Sequence, residues 1–273
     1  MLLETNIYGV TMNISHACKL YRYIGISSHR TYGFDIIIKN ISVFFYIIKY
    51  FFEKSINVIY ITAEFLQQEN AMHIFLIIDL TNTTIAPEKI KRDIATINGI
   101  YAISIIEPYV NLVIDTLHFP LTLHEKRVFI VEPSFMKGLI EGLSSRFGEG
   151  VAYVILWHIG YKTGEGLWDL FPHEKKIAER ELVELMLKTR ISVGWLSHYE
   201  IIDYSSIRKY ARIRVWNNWE CQLKGNTGKV ESHFLRGVFA GFFTKHFNAD
   251  CQAYETKCIS KGDEYCEYEI KPK

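Results

Sequence analysis

Between Gly33 and Pro108 the hydrophobic period of the chain switches back and forth between two and about 3.6 residues, and this constrains the fold most. "GFDIIIKN" is a β-rich apolar run, and Asn40 at its end suits a helix N-cap. "ISVFFYIIKYFFEKSI" follows as a helix, and "NVIYITAEFLQ" alternates as a strand. "QENA" has turn chemistry, and "MHIFLIIDL" is a second, more buried strand. "TNTTIAPEKIKRDIATI" opens with capping residues, its Pro87 suits a first helical turn, and Ile90, Ile94 and Ile97 mark one face. "GIYAISIIEP" closes as a strand. The order β-α-β-β-α-β is that of a ferredoxin-like, split β-α-β domain, with helices on one face of a four-stranded antiparallel sheet.

Residues 1–32 are mixed and assigned little, with Met12 a second candidate start. Residues 33–110 form the first domain. Residues 111–125, "NLVIDTLHFPLTLHE", contain Pro120 and no strong period, and are read as a linker. The second domain, 126–273, opens with "KRVFIVEP" as a strand. "SFMKGLIEGLSSRF" is a helix with Phe135, Leu139, Ile140 and Leu143 on one side, and "VAYVILWHIGYKTGEGLWDLF" a second that Pro172 ends. Gly160 and Gly164 lie one turn apart and permit close helix contact. "EKKIAERELVELMLKTR" is a third helix. "VGWLSHYEIIDYSS" and "IRKYARIRVWNNWEC" read as long strands, "GKVESHFLRGVFAGFFTKHFN" as a fourth helix and "DCQAYETKCISKGDEYCEYEI" as a closing hairpin. The expected fold class is α+β: a βαββαβ domain, then helices packed on an antiparallel sheet.

A hydrophobic content of 49% supplies a sizeable core, and a net charge of +1 gives no global attraction to nucleic acid or anionic membrane. The longest apolar run, residues 41–52, is too short to span a bilayer, and the first residues lack a secretory leader pattern. Five unevenly spaced cysteines argue against a disulfide framework, so a cytoplasmic location is expected, where clustered thiols hold metal or stay idle. There is no G-x-S-x-G, P-loop or dinucleotide fingerprint, and no catalytic residue is assigned.

The closing stretch carries the chemistry. Glu255, Cys258 and Cys266 offer a carboxylate and two thiolates around a "SKGD" turn in which Gly262 supplies the reversal. Residues 33–110 resemble an ACT-like domain in element order and apolar pattern, which implies dimerisation or binding of a small metabolite. Residues 125–271 resemble the 4-vinyl-reductase-type domain, through R-G-x-x-A-G-F from Arg236 to Phe242 and E-T-K-C-x-x-K-G-D-x-x-C from Glu255 to Cys266. That resemblance implies a small-molecule sensor module with zinc held by Glu255, Cys258, Cys266 and a fourth ligand at the position of Ser232. Serine is a poor zinc ligand, so His233, Cys251 or water would complete the site, or the metal has been lost.

All five tryptophans fall in the second half. Trp157, His158 and Tyr161 on one helix and Phe239 and Phe242 on another are candidate walls of an apolar ligand pocket. Gly237 and Gly241 share a helix face, as expected for close packing. "IRKYARIR" is read as a solvated strand face, so no direct nucleic-acid contact and no membrane contact are expected. The expected function is a non-catalytic sensor: a homodimer that takes an apolar small molecule, with zinc at the closing hairpin and a separate DNA-binding partner protein. The alternative is an accessory or reductase component in tetrapyrrole or aromatic metabolism.

Overall fold

The computed structural model describes residues 20–25, 30–110, 112–123, 126–171 and 177–273, with the backbone of two paired strands, β1 (Glu4–Ile7) and β2 (Val10–Asn13). The chain divides into two units, Met1–Phe129 and Ile130–Lys273. It is α+β, and every strand pairing among the described residues is antiparallel.

In the first unit β3 (Tyr23–Gly25) precedes β4 (Thr31–Ile38), α1 (Ile41–Glu53), β5 (Asn57–Leu66), β6 (Ala71–Asp79), α2 (Pro87–Ala95) and β7 (Ile100–Ile106). Three short strands follow: β8 (Leu112–Ile114), β9 (Leu121–Leu123) and β10 (Lys126–Val128). The main sheet has the order β5-β6-β4-β7. Asn40 caps α1 by accepting from the Ser42 N–H, and Pro87 opens α2. Val43, Ile47 and Phe51 of α1 and Ile90 and Ile94 of α2 are buried with Phe34, Ile36 and Ile38 of β4. Each such side chain contributes about 1.5–3 kcal/mol on burial.

Alternation along β4 and β6 leaves a second, helix-free face, where Phe75, Ile77 and Ile106 form a smaller core with Val113 of β8 and Tyr21, Ile24 and Tyr60. The segment 112–123, read from the sequence as part of a linker, supplies β8 and β9; β8 pairs with β3. The strand expected over 126–133 extends only through Lys126–Val128, because Pro133 opens the next helix.

The second unit contains α3 (Pro133–Phe147), α4 (Glu149–Asp169), α5 (Glu179–Ser192), β11 (His198–Ser205), β12 (Tyr210–Trp216), α6 (Trp219–Lys224), α7 (His233–Phe247), β13 (Cys251–Lys257) and β14 (Cys266–Pro272). Its sheet has the order β11-β12-β14-β13. On the side of α3 expected to pack, Ile140 is buried while Phe135 and Leu139 are exposed. Pro172 lies outside the described residues.

Helix α7 is buried nearly all round, against α4 on one side and β13 and β14 on another. Two glycine pairs make this possible. A Cβ at Gly160 or Gly164 would fall 2.0 or 2.1 Å from the carbonyl oxygens of Phe234 and Val238. At Gly237 or Gly241 it would fall 2.2 or 1.9 Å from those of Trp157 and Tyr161. The helices therefore touch backbone to backbone, which fixes α7 over the sheet.

Candidate metal centre

At the end of the sheet, four side chains from three elements converge. Cys221, Glu255, Cys258 and Cys266 place one ligand atom each within 4.8 Å of one another. All three cysteines are buried, and none is in a disulfide.

Local structure explains how each arrives. Strict alternation would send Glu255 and Cys258 to opposite faces of β13, since they are three residues apart. A bulge between Glu255 and Lys257 takes up one residue, so both turn toward the same side. A 3-10 turn over Ile259–Lys261 and Gly262, at φ 103°, then reverse the chain. Asp263 ties the loop by accepting from the Cys258 N–H at 2.9 Å, and Cys266 returns as the first residue of β14.

The fourth member is Cys221, which the sequence reading missed. That reading ran a strand to Cys221, but β12 stops at Trp216. Asn217 adopts φ 54°, and Asn218 caps α6 by accepting from the Glu220 N–H. The Asn-Asn pair was the signal for a turn followed by a helix. One turn of α6 is enough to carry Cys221 into the cluster.

The donor set fits a tetrahedral soft-metal site. Sγ of Cys221 lies 3.5 Å from that of Cys258 and 3.7 Å from that of Cys266. Sulfurs bonded to zinc at about 2.3 Å stand about 3.8 Å apart in a tetrahedron. Glu255 Oε2 accepts from the Ser232 N–H at 3.3 Å, while its Oε1 is buried with no hydrogen-bond partner. Burial, with the neighbouring Cys258 thiolate next, pushes the Glu255 carboxyl up to about 9. Hydrogen bonding from Cys221 and Cys266 lowers Cys258, and the bond to Cys258 raises Cys221, so the metal-free cluster concentrates its negative charge on one sulfur. A divalent cation would compensate the orphaned carboxylate oxygen and the crowded thiols together.

The residues expected to complete the site do other work. Ser232 is buried; its hydroxyl bonds the Tyr268 hydroxyl and accepts from Asn218 Nδ2 at 2.9 Å. Asn218 Nδ2 also lies 3.2 Å from Cys221 Sγ, so this polar network orients the cluster from behind. His233 stacks on Tyr153 at 3.8 Å and meets Arg236 through Nδ1. Cys251 is buried on the face of β13 that carries Glu255, but four strand residues separate them by about 13 Å.

Helix α6 also joins its neighbours. Glu220, fully buried, accepts from the Phe234 and Leu235 N–H groups at 2.8 and 3.0 Å, capping α7 from outside. On the opposite face, Trp219, Gln222 and Leu223 line an open cavity of about 450 Å³ with Met136, Trp195 and Phe234. The five residues expected to form a ligand pocket are not in its lining. Trp157 stacks on Tyr161, His158 is exposed, Phe239 is buried against Tyr268, and Phe242 packs on Trp168 and Phe171. Of the basic strand residues, Arg208 pairs with Asp203 and Arg214 with Glu267. No helix among the described residues is long and apolar enough to cross a membrane.

Two uncharacterized proteins of Methanocaldococcus jannaschii are similar to parts of this chain. One is 27% identical over 118 residues, 43% of this chain and 63% of that protein. The other is 32% identical over 76 residues, 28% of this chain and 45% of that protein. The chain thus spans less than two thirds of either relative. The phenol-responsive sensory domain of the transcription activator PoxR, solved with phenol, matches 55% of this chain and 79% of that one, with a TM-score of 0.50 and 15% identity, a likeness of fold. Residues 211–272, from β12 through the cysteine hairpin, match the vinyl-4-reductase domain model, so the second unit of this chain carries a vinyl-4-reductase domain.

Proposed function

We propose that the second unit is a small-molecule sensor in which an apolar, aromatic ligand occupies the cavity between α3, α6 and α7, beside a zinc ion held by Cys221, Glu255, Cys258 and Cys266. The observation that carries this reading is the double role of α6. Its six residues present Trp219, Gln222 and Leu223 to the cavity and Cys221 to the thiol cluster, while Glu220 caps α7. A ligand that shifts Trp219 moves a residue two positions from a metal ligand, and zinc in turn staples the cavity wall to the β13–β14 hairpin. The family match and the fold shared with a phenol-responsive domain support the sensory reading.

The cavity wall is mainly apolar, and the Trp219 indole N–H is buried with no hydrogen-bond partner. This combination suits an aromatic ring bearing one acceptor oxygen. Homodimerisation through the first unit, in the manner of an ACT-like domain, belongs to the same reading. Ile41, Phe45 and Phe52 stand exposed along α1, an apolar stripe that a second copy would cover. Output passes to a DNA-binding partner protein; salt-sensitive DNA retention by this chain alone would replace that step.

Titration of phenol and 1-naphthol against tryptophan fluorescence tests the cavity. Saturable quenching is expected, at least tenfold weaker in Trp219→Ala and Phe234→Ala. Binding that ignores both changes but is lost in Trp157→Ala would return the ligand to the region first read from the sequence.

A further inference from the structure

The first unit holds a second convergence of ligand atoms, on the helix-free face of its sheet. Asp35 of β4 and His73 of β6 both point there, since the helix-facing positions of β4 are Phe34, Ile36 and Ile38. His118 reaches the same point from the segment that follows β8. Its Nε2 lies 2.9 Å from His73 Nε2 and 3.1 Å from Asp35 Oδ1, and His73 Nε2 also contacts Asp35 Oδ1.

We propose that Asp35, His73 and His118 bind a divalent first-row transition-metal ion, with the remaining coordination positions open to the adjoining cavity. Neighbouring donors on an octahedral ion with bonds of about 2.1 Å stand about 3.0 Å apart, close to the separations here. Two imidazoles and one carboxylate on one side are the donor set of an open site for such an ion, and are too nitrogen-rich to favour magnesium or calcium.

Two further observations support a metal over a plain hydrogen-bond cluster. The first is the support behind His118. Its Nδ1 faces both Asp115 oxygens at 2.8 Å, and the Asp115 side chain is 2% exposed. Asp115 is held by Arg22 and by the N–H groups of Leu117 and His118 at 3.1 and 3.2 Å. A buried carboxylate behind a histidine fixes its tautomer and aims the other nitrogen, as outer-shell partners of metal ligands do. The second is proton arithmetic. With Nδ1–H directed at Asp115, His118 Nε2 presents a lone pair to the Asp35 carboxylate. The single Nε2–H of a neutral His73 serves only one of its two partners, so two acceptors face each other without a proton. A cation at the centre satisfies all three.

The cavity beside the cluster has a volume of about 270 Å³, and Arg22, Tyr60, Thr62 and Glu64 line it together with both histidines. Glu64 sits directly across from His73 in the β5–β6 pairing. The open positions therefore face polar groups of both charges, which suits water or a small oxygen-bearing ligand on the metal.

Cobalt(II) titration of the full, chelator-stripped chain tests this, because thiolate ligation adds charge-transfer absorption that nitrogen and oxygen donors do not. The expected result is one equivalent with thiolate absorption and one without it. His73→Ala and His118→Ala abolish the second kind and leave the first. Asp115→Asn, which removes no ligand, weakens it about 10–100-fold with the thiolate band unchanged. A wild-type chain that binds only thiolate-type cobalt overturns the proposal, whatever the variants do. So does a thiolate-free equivalent that survives loss of both histidines. Absence of the thiolate band alone would count against the zinc reading of the second unit and leave this site standing.

Discussion

At the scale of single residues, the cluster in the second unit depends on positions with little sequence signature of their own. Cys258 and Cys266 were legible because one hairpin holds both, and Glu255 because a carboxylate precedes them. Cys221 was not, because only tertiary packing brings α6 to the hairpin. Ser232 was correctly set aside as a ligand, but its part in orienting the cluster through Asn218 and Tyr268 needs three-dimensional proximity to see. His246 gives a residue-scale prediction. It is boxed in by Trp168, Phe242, Phe243 and Phe247, and its Nε2 meets the Tyr204 hydroxyl at 2.7 Å. Burial lowers it to about 4, against an opposing pull from Glu179. The unfolded chain takes up this proton near pH 6.5, so the contribution of the neutral ring is full above about 6.5 and lost as pH falls through 4. The loss reaches about 3 kcal/mol. Thermal unfolding in the presence of chelator, scanned from pH 7 to 4, is expected to fall less steeply in His246→Phe than in wild type. Equal slopes would mean that the histidine is hydrated in the fold.

At the scale of elements, α4 and α7 carry a direct test. Gly241→Ala places a methyl group 1.9 Å from the Tyr161 carbonyl oxygen, so the helices must separate. A loss of about 1–3 kcal/mol or more is expected in denaturant titration. Gly166→Ala, on the same α4 but with nothing within 4 Å of its new Cβ, is expected to stabilise by about 0.5–1 kcal/mol. Similar effects at both positions would refute close approach. The first-unit elements were legible because apolar alternation, an Asn cap and a proline at a helix start agree with one another. The same patterning misjudged β12, where aromatic residues continue past the strand end and Asn217 turns the chain. It also passed over 112–123, whose short strands take their place by covering the helix-free face, a long-range contact that no local period reports.

At the scale of the whole molecule, each unit buries its own core and carries its own cluster of ligating side chains, so ligand and metal effects in one unit are separable from those in the other by mutation. In the second unit, α6 joins cavity, cluster and α7 cap. Loss of metal is therefore expected to weaken aromatic binding as well as stability. In Cys258→Ser, the naphthol affinity is expected to drop by at least threefold even at temperatures where the protein stays folded; an unchanged affinity would separate the cavity from the cluster. The central claim is that Cys221, and not Ser232, closes the metal centre. X-ray absorption at the zinc edge of the loaded chain measures this most directly. Three sulfurs at about 2.3 Å are expected in wild type and two in Cys221→Ser. Two sulfurs in wild type, unchanged by Cys221→Ser, would contradict it.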